Sequence, residues 1–287
     1  MKKLRAKVKR HIVDFVDRRF NSFTHDVDGK RFRIPVVNGI WPKNFGEKWM
    51  SVLIRKLLRA SPGVFVDIGV NTGQTLLKVK SIDDQVRYVG IEPNSVCINY
   101  VHRLIVENTF RNSDIVPVGA SDREGLLWLE FYSEDESDTC ASTVENLRPG
   151  NATGVKKCIP VATLDLIRNH MQLPKIGIIK IDVEGAEREV FRGMRQSVTS
   201  DRPMIIVEVL HAANAERLPD FSERVSEMSA ILKALDYRVF RIQKTEDDQE
   251  IRSFAPLPSF DVKIWDSTSR TECDYVCAPA EKVHVLE

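Results

Sequence analysis

Short apolar runs alternate with amphipathic stretches along most of the chain. Residues 64–68, Val64-Phe65-Val66-Asp67-Ile68, are almost unbroken in apolar character and lead into Gly69-Val70-Asn71-Thr72-Gly73-Gln74-Thr75. A run of this length without polar alternation reads as a parallel strand covered on both faces, followed by a tight turn and a helix start. Similar runs recur at residues 85–94, 113–120, 176–182, 202–211, 237–242 and 274–278. Residues 126–132 and 156–161 read as two further strands that flank a polar loop. Helical spacing falls between them. Trp49, Val52, Leu53, Lys56 and Leu57 mark a helix over 45–60 that Ser61-Pro62-Gly63 ends, and others are predicted at 95–107, from Thr163 as cap, near Gly185, and over 221–235. Strand and helix in alternation predict an α/β fold with a mostly parallel sheet and helices on both faces.

Three stretches stand outside this alternation. Residues 1–45 read as an N-terminal extension to one domain spanning 46–287. Lys2, Lys3, Arg5, Lys7, Lys9 and Arg10 accompany Leu4, Val8, Ile12 and Phe20 at near-helical spacing. Such a basic amphipathic helix over residues 1–20 either makes a peripheral contact with an anionic membrane or packs on the domain edge with its basic face in water. Residues 28–35 give a turn and a short strand. Residues 133–149 gather Glu134, Asp135, Glu136 and Asp138 in a polar loop, either a substrate cover or a solvated acidic segment. Residues 244–272, with Pro256 and Pro258, read as a polar connection.

Composition narrows the function classes. With 287 residues, 43% hydrophobic and 29% charged, the chain has ample material for a large core. Its 42 basic and 41 acidic residues leave a net charge of +1, which gives no general case for a nucleic-acid partner. No apolar run approaches the ~20 residues of a membrane span, and no apolar segment follows the basic start as in a secretory signal. The five cysteines are scattered, with no Cys-x-x-Cys, so a reduced, cytoplasmic protein is the expectation, with or without membrane contact through residues 1–20.

The polar residues at the strand tips carry the candidate chemistry. The first turn is D-x-G-x-N-x-G rather than G-x-G-x-x-G, and the acidic Asp67 stands where a pyrophosphate would be repelled. A ligand with a cationic end suits Asp67, Gly69, Asn71 and Gly73, and the ammonium and sulfonium of S-adenosylmethionine meet that demand. Glu92, at the tip of the second strand, stands where an acid bonds ribose hydroxyls in nucleoside-binding sheets. Ser121 and Asp122 follow the third strand, either beside an adenine or as a plain polar turn. Asp182 and Glu184 end the fourth strand at the ligand-facing edge, with Glu187 one turn on, as a helix-start acid. Glu208 and His211 end the fifth, and His211 is the first choice for a general base because histidine titrates near working pH.

Val66-Asp67-Ile68-Gly69-Val70-Asn71-Thr72-Gly73, Thr163-Leu164-Asp165 and above all Ile179-Lys180-Ile181-Asp182-Val183-Glu184-Gly185-Ala186-Glu187 resemble the FkbM family of S-adenosylmethionine-dependent methyltransferases. Glu208 after Ile205-Ile206-Val207, and Tyr275-Val276-Cys277-Ala278-Pro279, fit the same pattern over residues 46–280. Val70 departs from it, since an alanine is common there. The resemblance implies a Rossmann-like class I methyltransferase with a seven-stranded, mostly parallel sheet whose last strand is antiparallel. It implies O-methylation of a hydroxyl on a sugar, glycan or natural-product metabolite. By position, Asp67, Gly69, Asn71 and Gly73 would hold the methionine part of the donor and Glu92 its ribose, with Asp182 near the methyl or substrate end. His211, Asp182 and Glu208 are the catalytic candidates, and a divalent cation on Asp182 and Glu208 is the alternative way to lower the hydroxyl pKa. Two other readings stand beside this one: a non-catalytic cofactor-binding module of a biosynthetic complex, and a nicotinamide oxidoreductase whose glycine fingerprint is missing. A nucleic-acid methyltransferase is disfavoured, because Ile-Asp-Val-Glu replaces the Asn/Asp-Pro-Pro-aromatic corner that holds a flipped base. Oligomeric state is left open.

Overall fold

In the computed structural model, which describes residues 22–42, 45–133, 138, 140–145, 147, 148, 150, 153–247, 249–266 and 269–287, the predicted alternation of strands and helices is present throughout. The basic stretch over residues 1–20 lies outside the described residues. The chain enters as a hairpin, β1 (Ser22–Val27) and β2 (Lys30–Pro35), turned at Asp28-Gly29. Both turn residues have positive φ, 53° and 83°, the backbone that a two-residue hairpin turn requires. Helix α1 (Lys48–Ala60) buries Trp49, Leu53, Ile54 and Leu57 on one face. Next come β3 (Val64–Ile68), α2 (Gln74–Ile82), β4 (Tyr88–Ile91), α3 (Ser95–Asn108) and β5 (Ser113–Val116). The Asn94 side chain caps α3 by accepting from Val96 N.

The third predicted strand divides at Pro117, which has no N–H to donate to a ladder. Its second half, β6 (Gly119–Ala120), leaves the main sheet and joins β7 (Gly125–Glu130) and β8 (Lys156–Ala162) in a separate three-stranded sheet of order β6-β8-β7. Helix α4 (Leu164–His170) starts as predicted, with Thr163 Oγ1 accepting from Leu166 N. Then follow β9 (Ile176–Ile181), α5 (Glu187–Gly193), α6 (Arg195–Asp201), β10 (Met204–Glu208), α7 (Leu218–Ala234), β11 (Tyr237–Lys244), β12 (Ile251–Leu257) and β13 (Asp274–Pro279).

The main sheet runs β12-β11-β13-β10-β9-β3-β4-β5. Strands β5, β4, β3, β9 and β10 are mutually parallel, and β13 is inserted antiparallel between β10 and β11. This is the Rossmann-like order of the class I methyltransferases, with one strand more than expected. The eighth is β12, inside the stretch read as a polar connection. It pairs antiparallel with β11 at the sheet's edge, where Pro256 costs no ladder bond to a further strand. Its half-exposed side chains lack the apolar continuity by which the other strands announce themselves.

Strand alternation sends side chains to two cores. Val64, Val66, Ile179, Ile181, Val207 and Tyr275 pack with α4, α5 and α7 on one face. Phe65, Tyr88, Ile178, Ile206, Val276, α1, α2 and the β1–β2 hairpin form the other core. Each large aliphatic side chain withdrawn from water contributes roughly 1.5–3 kcal/mol, so Leu53, Ile54 and Leu57 hold α1 firmly to the sheet. Strand order reverses between β3 and β9, and open α/β sheets bind ligands outside the carboxyl ends of strands at such a switch point.

Candidate active site

A crevice of about 630 Å³ opens at those carboxyl ends. Its floor is the turn after β3, stitched on both sides: Gly69 N donates to Ile91 O at 2.9 Å, and Asp182 N donates to Ile68 O at 2.9 Å. Gly69 has φ +89°, and a Cβ there would stand 1.8 Å from Asp182 O, so no other residue fits. Asn71 takes φ 50° and directs its N–H to Glu92 Oε2 at 2.8 Å, while Asn94 N donates to Glu92 Oε1 at 2.8 Å. The Glu92 carboxylate therefore ties the turn after β3 to the turn after β4. It is 7% exposed, and burial pushes its pKa up to about 7 against the pull of those two N–H groups. Gly69, Asn71 and Glu92 all line the crevice. Gly73 does not; it starts α2 at φ 82°, with Leu104 in the space a Cβ would take.

Asp67 is a correction. Its carboxylate is fully buried beneath the crevice rather than pointing into it. It accepts from Tyr88 OH at 2.5 Å and lies 3.5 Å from Lys180 Nζ. The cause is register: Asp67 stands opposite Lys180 of β9, and both side chains fall on the face of Phe65 and Ile178. Lys180 turns its ammonium from Asp67 to Asp182 Oδ2, 3.0 Å away, and to Gly69 O at 3.4 Å. Burial works against that charge, yet the carboxylates of Asp182 and Asp67 outweigh it and raise the Lys180 pKa.

The same face continues across the sheet. Glu208 pairs in register with Asp274 of β13, and Lys244 of β11 reaches Asp274 Oδ2 at 2.7 Å while lying over the Trp49 ring. Burial, then the charges of Asp182 and Asp274, raise the Glu208 pKa well above the usual carboxylate range, and Glu208 hydrogen-bonds to Asp182. Glu208 is thereby pushed toward its neutral form beside Asp182, which Lys180 meets at 3.0 Å. Asp182, Glu208, Asp274 and Lys180 line the crevice. Among the described residues, no group of three or more His, Cys, Asp or Glu is disposed to hold a metal ion. The Lys180 ammonium supplies the positive charge between Asp67 and Asp182 that a cation would otherwise bring.

Three other predicted residues do not line the crevice. Ser121 is buried, its N–H given to Ala162 O, because β6 pairs with β8 instead of extending the main sheet. Asp122 faces Arg192 and Arg123, each at 3.4 Å. Gly119 and Ala120 line that end instead, with Pro93 and Leu129. His211 is buried three residues beyond β10, with neither ring nitrogen hydrogen-bonded among the described residues. Burial and Lys263 lower its pKa. Arg241, another of its charged neighbours, pairs with Asp261 and Tyr275 on the sheet face opposite Glu208. Glu187 is drawn back to its own helix start, accepting from Gly185 N at 2.8 Å.

The loop after β7 forms a wall. Asp138 accepts from the N–H groups of Tyr132, Ser133 and Cys140. Arg148 donates to Glu184 Oε2 at 2.6 Å, and Ser142 Oγ donates to Glu184 O at 2.6 Å. Burial and Asp182 push the Glu184 pKa up to about 7 despite Arg148. Cys140 and Thr143 line the crevice from this side, and Trp41, Glu47 and Met50 line it from the segment that enters α1. None of these five, nor Lys180 or Asp274, was singled out by the sequence reading as a site residue. A lysine inside an apolar strand was the one available signal.

The methyltransferase FkbM domain model matches residues 67–239. No curated protein matches the chain. Among solved structures, the chain is similar to the methyltransferase FkbM of Methylobacillus flagellatus at 17% identity and TM-score 0.43, covering 67% of this chain and 42% of that one. It is also similar to the precorrin-6y C5,15-methyltransferase of Geobacter metallireducens, at 14% identity and TM-score 0.37, over 79% of this chain and 85% of that one. The fibrillarin of Aeropyrum pernix, solved with natively bound S-adenosyl-L-methionine, aligns at 12% identity and TM-score 0.44 over 90% and 87% of the two chains. The chain thus spans under half the length of the first of these.

Proposed function

The chain belongs to the FkbM methyltransferase family, whose methyl donor is S-adenosylmethionine, and from that premise we propose that it methylates a hydroxyl on a sugar, glycan or natural-product metabolite. The observation that carries the reading is the crevice at the switch point, where the Gly69 turn, Glu92 and the Asp182–Glu208 pair converge. Its donor set fits the methyl donor: Glu92 retains lone pairs for a ribose diol, and a lining rich in carboxylates suits a ligand bearing ammonium and sulfonium charge. Asn71 and Gly69 would hold the methionine part, and Gly119 and Ala120 would flank the base. Bound donor supplies a methyl group already activated on a sulfonium.

The protein's own task is then to align an acceptor oxygen and take its proton. Asp182 and Glu208 are placed for this. The Asp182 carboxylate would accept that proton, with Glu208 beside it and Lys180 balancing its charge. Lys244 pairs with Asp274, the cross-strand neighbour of Glu208. Cys140, Thr143 and Glu184 would flank the bound acceptor from the side of the loop after β7.

The test is transfer of labelled methyl from S-adenosylmethionine to methyl glycosides of glucose, galactose, mannose, rhamnose and N-acetylglucosamine, with glucose 6-phosphate and glucuronic acid as anionic members. Transfer to a hydroxyl, lost in Asp182→Asn and Glu208→Gln with donor binding retained, is expected. No transfer to any sugar would remove the glycan reading, and unchanged turnover in both variants would remove the base assignment.

A further inference from the structure

The crevice has two ends, and the donor residues occupy only one. Gly69, Asn71, Glu92, Gly119 and Ala120 gather at the tips of β3, β4 and β6. The other end lies over β9, β10 and β13, where Lys180, Asp182, Glu208 and Asp274 line it; Trp41, Glu47 and Met50 line the same crevice, and Glu47 is near enough to Lys180 for its charge to favour the ammonium. These last three precede residue 67, at which the family match begins.

The segment carrying them is anchored at several points. Tyr100 OH donates to Pro35 O at 3.0 Å, and Val37 and Ile40 exchange backbone hydrogen bonds of 3.1 and 2.9 Å across Asn38-Gly39. The Phe45 ring stacks on His25 with centroids 4.0 Å apart, and α1 is fixed by its buried face. Glu47 adopts φ 62°, a conformation costly for a non-glycine residue and common where a side chain must be aimed. Its carboxylate lies 3.6 Å from the buried Lys78. Preorganisation of this kind is what a recognition surface needs.

The chemistry of this end is specific. An indole offers a flat apolar face with a polar rim, suited to cover the C–H face of a saturated ring. Glu47 accepts hydrogen bonds from hydroxyls. Lys180 is the one cation among the described lining residues, and it is already paired with Asp67 and Asp182. An anionic group brought here would meet Glu47, Glu184 and Asp274, whose cations Lys78, Arg148 and Lys244 are already engaged.

We propose that Trp41, Glu47 and Met50 form the acceptor-binding wall, and that they select an uncharged, hydroxylated ring. This rests on the methyl-transfer reading above, so the experiment separates the two. Steady-state kinetics are measured for wild type, Trp41→Ala, Trp41→Phe and Glu47→Gln with the best neutral glycoside of the panel, alongside donor Kd by calorimetry and thermal melts. Trp41→Ala and Glu47→Gln should raise acceptor KM tenfold or more, with kcat within about threefold and donor Kd unchanged. Trp41→Phe should recover most of the loss, and the anionic sugars should be the poorest acceptors. Unchanged acceptor KM in both variants, a weakened donor Kd in Trp41→Ala, or preference for glucose 6-phosphate or glucuronic acid overturns this proposal alone. A wild type that methylates no sugar overturns the proposal together with the reading beneath it.

Discussion

Donor affinity should depend on pH through Glu92. This carboxyl is 7% exposed, its two oxygens each accept one backbone N–H, and its pKa stands at about 7 instead of 4.5 because of burial. Only the ionised form offers its full set of lone pairs to a ribose diol while holding the Asn71 and Asn94 N–H groups. At pH 8 about nine tenths of Glu92 is ionised, and at pH 6 about one tenth, so apparent Kd should rise about tenfold over that interval, or about 1.4 kcal/mol. Calorimetric titration with S-adenosylmethionine between pH 5.5 and 8.5 measures this directly, and proton release on binding is expected near pH 7. Glu92→Gln should bind weakly with a flat profile. Glu184 also titrates near pH 7 in this crevice, so Glu184→Gln, which should keep the wild-type slope, identifies the responsible group. A wild-type Kd constant from pH 6 to 8, or a slope that survives in Glu92→Gln, refutes the reasoning.

The same group has a stability signature of fixed sign. A raised folded pKa means that the contribution to stability is fully present below pH 4.5 and is lost as pH rises through 7. A rise from 4.5 to about 7 amounts to about 3 kcal/mol between those limits, an upper value because bound donor lowers the pKa again.

Glu208→Gln should abolish turnover yet raise Tm above wild type at pH 8 and beyond, because the raised Glu208 pKa makes its ionisation a cost at alkaline pH; a lower Tm there counts against a buried, protonated Glu208. Lys180→Met leaves Asp67 buried without its cation and should cost about 3–5 kcal/mol by urea unfolding. Adding Asp67→Asn should recover part of that loss, and strict additivity of the two would show that they do not interact. His211→Gln should keep kcat within about threefold, since His211 does not line the crevice; a loss as deep as that of Glu208→Gln would return the base role to His211.

The sheet and the Gly69 turn were legible in the sequence because local signals determine them. An apolar run followed by two glycines can hardly fold otherwise, and Gly69 is required by a contact only 1.8 Å from where its Cβ would be. What the sequence concealed depends on register. Whether Asp67 points into the crevice or beneath it is decided by its pairing with Lys180, 113 residues later in the sequence, and no single-strand pattern contains that. Asp274 begins an antiparallel strand, so its start, not its end, reaches the ligand edge. Trp41 read as extension and Glu47 as part of an amphipathic helix because neither belongs to a strand tip, and β12 was hidden by the polar residues that an edge strand tolerates. His211 looked catalytic because its place after a strand tip was visible and the face it packs on was not.

Side-chain alternation gives the site its organisation. Tyr88, Asp67, Lys180, Glu208, Asp274 and Lys244 come from six adjacent strands, and all fall on the face under α1 and α2. Shifting any one of these strands by a single residue would send its polar group into the aliphatic core opposite, at a cost of several kcal/mol where that group is an unpaired ion. The polar row therefore fixes the register of the strands around the switch point as much as hydrophobic burial does. It also places the two partners of Lys180 at different depths, Asp67 fully buried and Asp182 37% exposed. The buried partner holds the lysine, and the lysine in turn holds Asp182 at the crevice edge through Oδ2. A carboxylate held that way can meet an acceptor hydroxyl without first being drawn out of water, which is the step a flexible surface acid could not avoid.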